Sequence, residues 1–370
     1  MPHFRNAISP TEVALPRRDL SRMIRLVRTL DRLGRLPAYR LLVEPQLPET
    51  ARFNPGHDAV MMGYDFHLGP EGPRLIEVNT NAGGGLLAFL AATPETPLAR
   101  AVLPRRLKDQ LLASFAAEMA AFSGRWRPAG IAVIDEHPED QYLYREMLAF
   151  AELFEEEWQV PTVIRDPSGL EADARGVSCE GRTIDLIYNR HCDFYLERPE
   201  MAGIRAAYRA GRVCLTPNPF VYGLLADKRR LTLWSDPTIL AGLDLPQANV
   251  DLLLEMVPKS RLLAALDAEE VWARRSELVF KPVSRFGSRG VLLGAKISRR
   301  RFNELPPRET LVQRIVPPSL TENERGEVFK TDFRLFVYRS RVLGVAARLY
   351  RGQVTNLRTT GGGFAAVKLV

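Results

Sequence analysis

Residues 62–85 read MGYDFHLGPEGPRLIEVNTNAGGG, and residues 279–294 read VFKPVSRFGSRGVLLG. The first stretch predicts two strands, AVMMGYDFHL and PRLIEVNT, joined by the turn GPEG. Glu77 and Asn79 alternate with Ile76 and Val78, so they share one face, and Asp65 on the preceding strand can lie opposite them. Two carboxylates and an amide oxygen are hard ligands suited to Mg²⁺, which keeps waters and takes phosphate oxygens as well. The alternative is a solvated sheet face with acids beside arginines. Against it, the strand runs into three glycines, Gly83 to Gly85, for which a plain strand has no use.

In the second stretch Lys281 ends a strand and precedes the loop SRFGSRG. Gly287 and Gly290 let the backbone approach an anion closely, with amide hydrogens as donors, and Ser284 and Ser288 lie in the same loop. An ordinary hairpin turn with a surface lysine is the competing reading. TLVQRIVPP is either a plain core strand or a hinge whose backbone, near Gln313, Arg314 and Ile315, bonds an adenine edge. Further on, Asp332 and Arg334 share a strand face in TDFRLFVY, and Arg348 and Asn356 follow on neighbouring segments. Arginines there can hold a transferring phosphoryl group and its developing charge, or form surface ion pairs.

Composition limits the partners. The chain has 370 residues, enough for two or three domains, with 46% hydrophobic and 26% charged residues, as in ordinary globular proteins. No apolar run spans a bilayer, and MPHFRNAISP lacks the apolar core of a secretory signal, so no membrane association is expected. Three cysteines at no metal-ligand spacing fit a reducing cytoplasm, and five scattered histidines give no zinc pattern. The net charge of +7 comes without a nucleic-acid-binding motif, which favours a basic surface and an anionic small-molecule site over nucleic acid. Of the 51 basic residues only seven are lysines, among them Lys228, Lys281 and Lys330; an ammonium in so arginine-rich a chain marks a position worth scrutiny.

Along the chain, residues 12–45 predict helix, and the segment from Leu86 to Phe122 is mostly helical with breaks near Pro94 and Pro104. From about Gly130, GIAVIDE, PTVIRD, TIDLIYNR and RVCLTPN read as strands, with a helix in DQYLYREMLAFAELFEE. That alternation predicts a small parallel α/β layer whose ligands sit at the carboxyl ends of its strands, near IDEHPED and YNRHCDFY. From Pro219 a helix begins in LLADKRRLTLWSD, and ELVFKPVS, GVLLGA, TLVQRIV, DFRLFVYRSRVLGVAARLY and AAVKLV are strand-like.

Taken together, these segments resemble the ATP-grasp superfamily. In that family an early lysine, a second lysine before a glycine-rich loop, an adenine hinge, a D-x-R strand, an arginine, an N-x-x-x-G-G element and a metal-binding D…E-x-N group occur in that order. Here they read Lys228 in ADKRRL, Lys281 in FKPVSRFGSRG, the hinge at 313–316, Asp332 and Arg334, Arg348, and Asn356 with Gly361, Gly362 and Gly363. The metal group stands at the front instead, as Asp65, Glu77 and Asn79. That order resembles the circularly permuted ATP-grasp proteins, similar to eukaryotic glutathione synthetases and glutathionylspermidine synthases. Two departures stand out. Phe286 occupies the place of an acidic residue in the lysine loop, with Asp65 a substitute ligand, and the loop has fewer glycines than usual.

The resemblance implies an α/β, circularly permuted ATP-grasp fold. Residues 1–125 would hold N-terminal helices and the permuted metal strands, 126–218 the small parallel α/β substrate domain, and 219–370 the nucleotide-binding region. It implies an ADP-forming ligase that joins a small-molecule carboxylate to an amine, or less often a thiol, through an acylphosphate. ATP and Mg²⁺ would be its cofactors. Lys228 and Lys281 would hold phosphates, with Ser284, Gly287, Ser288, Gly290, Gln313, Arg314 and Ile315 around the nucleotide. Asp65, Glu77 and Asn79 would hold metal. Arg334 and Arg348 would stabilise the transferring group, Asn356 would line the site of attack with Gly361 and Gly362, and Arg190 would grip a substrate carboxylate or pair with Asp193. The resemblance is compatible with a homodimer. The alternatives are an ATP-binding module serving a partner and a small-molecule phosphotransferase. The permuted reading also requires that the Asp65–Glu77–Asn79 group face Lys281 and that the two ends of the chain lie close together.

Overall fold

A computed structural model of the chain describes residues 7–90, 105–284, 287, 290–357 and 359–370. The helix breaks expected near Pro94 and Pro104, and the loop residues Phe286 and Ser288, lie outside the described residues.

The fold is mixed α/β. Its central element is a six-stranded antiparallel sheet in which Met62–Gly69 lies between Gly72–Asn79 and the long strand Val328–Tyr338. On the far side of the long strand come Arg341–Tyr350 and then Gly363–Ala365, while Ser319–Glu322 pairs with its beginning. Strands from the two ends of the chain are therefore hydrogen-bonded neighbours. The ends themselves also meet, since Val13–Leu15 pairs in parallel with Val367–Leu369.

Period-two alternation gives this sheet two unlike faces. Tyr64, Phe66, Leu75, Phe333, Leu335 and Leu349 point into one buried core, where they meet Met23, Leu26, Leu30 and Leu33 of the helix Arg17–Arg35. That helix starts after Pro16, puts its arginines outside, and ends where Leu36 turns extended before Pro37. The opposite face carries Asp65, Glu77, Asp332, Arg334 and Arg348, paired in register as Asp65 with Glu77, Arg334 with Asp65, and Asp332 with Arg348. Farther along, that face turns apolar at Phe336 and Ala346 and joins a second core, which includes Phe115, Phe150 and Phe154.

Residues 131–216 contain a four-stranded parallel sheet in the order Thr162–Arg165, Ile131–Ile134, Leu186–Asn189, Cys214–Thr216. The chain moves from the second strand in this order out to the first, then returns to the other side, so strand order reverses between Ile131–Ile134 and Leu186–Asn189. A separate antiparallel sheet orders Ser260–Leu262, Thr310–Arg314, Leu278–Pro282 and Leu292–Leu293.

The sequence expectations need correction in three places. Residues 13–15 form a strand rather than helix, because their alternating burial serves the pairing with the C-terminal strand. TIDLIYNR divides into Arg182–Ile184, which belongs to a three-stranded antiparallel unit with Glu171–Asp173 and Gly176–Cys179, and Leu186–Asn189, which belongs to the parallel sheet. LLADKRRL begins with a π-helical turn at Tyr222–Ala226, and the helix Arg230–Trp234 starts only after Lys228. Among the described residues no helix is long and apolar enough to cross a membrane.

Candidate functional site

The polar face of the six-stranded sheet is organised around Asp65. Its Oδ1 accepts from Arg334 Nε at 2.6 Å and its Oδ2 from Arg334 Nη2 at 2.7 Å, a bidentate pair. Arg348 Nη2 lies 2.9 Å from the same Oδ2, and Asn79 Nδ2 donates to it at 3.2 Å. Burial disfavours the Asp65 carboxylate, but the guanidinium groups of Arg334 and Arg348 outweigh it and hold its pKa down to about 2. Room for Arg334 comes from Gly63, where a Cβ would stand 2.7 Å from the Ala82 Cβ and 3.1 Å from Arg334 Nε. Asp332 completes the network. It accepts from Arg348 Nε at 2.5 Å and from the Thr355 hydroxyl at 2.6 Å.

In this structure Asp65 is engaged by the two arginines, with three donors on its Oδ2. Glu77 and Asn79 remain. Asn79 Nδ2 donates to Glu77 Oε1 at 3.2 Å as well as to Asp65, which leaves the amide carbonyl oxygen as its acceptor. Among the described residues no three His, Cys, Asp or Glu side chains are grouped to hold a metal. One carboxylate and one amide oxygen still fit Mg²⁺, a cation commonly held by one or two carboxylates together with substrate phosphates.

Two lysines approach the same carboxylate. Lys228 Nζ is 3.9 Å from Glu77 Oε2. Lys281 is buried and donates to Gln313 Oε1 at 2.7 Å and to the carbonyl of Ile76 at 3.2 Å. The strand pairing shifts register between Asp65 and Phe66, so Ile76 is an extra residue opposite them, a bulge of the kind that re-aims groups next to functional sites. Burial pushes the Lys281 ammonium down to about 8, against the attraction of Glu77. Lys281 thus has neutral oxygens as hydrogen-bond partners and carboxylates at longer range.

The expected hinge at 313–316 is largely engaged within the protein. Gln313 turns its side chain to Lys281 and to the Ser260 hydroxyl. The amides of Arg314 and Ile315 donate to the carbonyls of Lys259 and Glu277, and the Val316 carbonyl accepts from His67 Nδ1 at 2.6 Å. Ser284, Gly287 and Gly290 are exposed in the lysine loop, and both glycines have the positive φ that favours glycine there. Ser284 and Gly290 line a shallow surface pocket with Phe280 and Pro282, on the strand face opposite to Lys281.

Asn356 donates to the carbonyls of Arg351 and Val354 and accepts from Thr359, holding together the loop in which Thr355 reaches Asp332. Gly361 and Gly362 allow close packing rather than opening space. The Gly361 carbonyl accepts from the Ser9 hydroxyl, and a Cβ on Gly362 would lie 2.3 Å from the Leu349 carbonyl oxygen. Arg190 pairs with Glu146 rather than with Asp193. It is buried, with Nη1 3.1 Å from Glu146 Oε2 and 3.1 Å from the Tyr188 hydroxyl.

Several participants escaped the sequence reading: Thr355, Ser260, Glu146 and the carbonyls of Ile76 and Gly83, the last of which accepts from Arg334 Nη1 at 3.4 Å. Backbone carbonyls leave no residue-type signal. Glu146 resembles any other acid on an amphipathic helix until its burial is known.

No family model matches the sequence, and no curated protein does. Solved structures do resemble the fold. A glutathione synthetase-like effector of Globodera pallida, in its apo form, matches over 98% of this chain and 90% of its own, with a TM-score of 0.60 at 10% identity. A putative gamma-glutamylcysteine synthetase of Methylobacillus flagellatus matches over 92% and 86%, with a TM-score of 0.52 at 11% identity. At such identity the likeness is one of fold, and the fold of this chain is glutathione synthetase-like.

Proposed function

We propose that the protein is an Mg-ATP-dependent, ADP-forming ligase of the circularly permuted ATP-grasp type, joining a small-molecule carboxylate to an amine or thiol. One observation carries the reading. Strands from opposite ends of the chain lie side by side, so Glu77 and Asn79 share a sheet face with Asp332, Arg334 and Arg348, and both Lys228 and Lys281 approach Glu77. Anion-holding lysines, a small hard-cation site and paired arginines are what in-line phosphoryl transfer to a carboxylate requires. The names of the two structural neighbours, a synthetase and a synthetase-like effector, accord with it.

In this reading Lys228 and Lys281 bind the nucleotide phosphates, and Glu77 with the Asn79 carbonyl oxygen holds Mg²⁺, which would neutralise charge on the phosphates. Arg334 and Arg348, set by Asp65 and Asp332, orient the substrate carboxylate and stabilise charge on the acylphosphate formed as ADP leaves. The amine then attacks the acyl carbon and phosphate departs, giving the amide. The test is ADP release across paired acids and amines. Release that requires both partners supports ligation. A stable phosphorylated product points to a phosphotransferase, and nucleotide binding without turnover to a binding module. Glu77→Gln is expected to abolish magnesium-dependent turnover with the fold intact; full activity in that variant removes the metal assignment.

A further inference from the structure

Glu146 lies in the first turn of the helix Tyr144–Trp158, in the parallel α/β unit, and is fully buried. Its Oε2 accepts from the amide of Gly84 at 2.8 Å and from Arg190 Nη1 at 3.1 Å, and its Oε1 accepts from the amide of Leu86 at 2.9 Å. Two backbone donors and a guanidinium around one carboxylate is the arrangement by which proteins hold a bound carboxylic acid. Here the occupant is the protein's own side chain.

The location gives this meaning. Arg190 directly follows the strand Leu186–Asn189, and Asp135 follows Ile131–Ile134, the two strands between which the sheet order reverses. Ligands of open α/β sheets lie in the crevice outside such a switch point. Gly83 connects it to the reaction face. A Cβ there would stand 2.4 Å from Arg190 Nη2, while the Gly83 carbonyl accepts from Arg334. Arg190 Nε is buried without a hydrogen-bond partner among the described residues, so its guanidinium is not saturated by what surrounds it. Glu146 pairs with Arg190, and Asp135, which follows Ile131–Ile134 at the same end of the sheet, is held at an elevated pKa of about 6 mainly by burial.

We propose that Glu146 sets specificity in the substrate unit: it fills the seat that Arg190, Gly84 and Leu86 form for a carboxylate, so the substrate end lying at this switch point carries no carboxylate. A carboxylate brought there meets two acids, Glu146 and Asp135, and an arginine whose Nη1 is already paired. The substrate assignment rests on the ligase reading; the occupied seat does not.

The test separates the two. Melting of wild type and Glu146→Ala is followed in acetate, acetamide and chloride at equal ionic strength, with no nucleotide present. Acetate alone should raise the melting temperature of the variant, saturably, and leave wild type unchanged. Should the variant fail to fold, acetate should restore its folded yield where chloride does not. ADP release by wild type is then compared for glycine and glycinamide as acceptors, with at least a tenfold preference expected for the carboxylate-free partner. Stabilisation of wild type by acetate, indifference of the variant to it, or a preference for glycine overturns the proposal. Acetate rescue without ADP release from any substrate pair upholds the seat and removes the ligase reading.

Discussion

Replacing Asp65 with Asn separates organisation of the site from metal binding. The wild-type carboxylate lies between two buried guanidinium groups, bonded to Arg334 at 2.6 and 2.7 Å and to Arg348 at 2.9 Å. Asn retains the shape, removes the charge, and turns an NH₂ toward groups that are themselves donors. Removing one member of a buried ion pair leaves the others uncompensated and costs about 3–5 kcal/mol. Glu77 is different: its side chain is 25% exposed and its lysine partner lies 3.9 Å away, so Glu77→Gln should cost less than about 1 kcal/mol. Urea unfolding measures both. With a slope of roughly 3 kcal/mol per molar, the Asp65→Asn midpoint should fall by about 1 M or more and the Glu77→Gln midpoint should hardly move. Titration with Mg²⁺ and a non-hydrolysable ATP analogue should show magnesium-dependent affinity lost in Glu77→Gln. An Asp65→Asn protein as stable as wild type refutes the argument that Asp65 is committed to the arginines.

The other expectations are more local. In the proposed ligase Lys281 would hold phosphate as an ammonium, and burial brings its pKa down to about 8, so nucleotide affinity should weaken as pH rises through 8, by up to about tenfold per further unit, and Lys281→Met should bind weakly with no such dependence. Calorimetric titrations from pH 6.5 to 9.5 decide this. Gly84→Ala would place a Cβ 2.0 Å from the Phe364 ring at a φ of +93°, and should destabilise by about 2 kcal/mol or more in thermal or urea unfolding. Thr355→Val removes the hydroxyl donor to Asp332; a loss of about 1.5–3 kcal/mol in unfolding is expected, with a lower kcat if the Asp332–Arg348 pair orients the reacting groups.

The glycines 83–85 show how far residue type alone reaches. Their number signals that something crowds the backbone after Asn79, but what crowds it is distant in sequence: Arg190 and Leu143 at Gly83, Phe364 at Gly84 and Met61 at Gly85. Likewise Glu77 and Asn79 on one strand face followed from period-two alternation, which is local. The commitment of Asp65 to Arg334 did not, because it depends on two strands 269 residues apart becoming neighbours.

The sequence by itself therefore determined the α/β class, the alternation that makes one sheet face polar, and the residue types gathered on it, since all of these are local properties of the chain. Tertiary structure decided the assignments. It set Asp65 against two arginines, turned Gln313 toward Lys281, and closed Glu146 over Arg190. Each of those outcomes depends on which buried charge finds which partner. A buried ion must be paired, and only the folded chain determines with what.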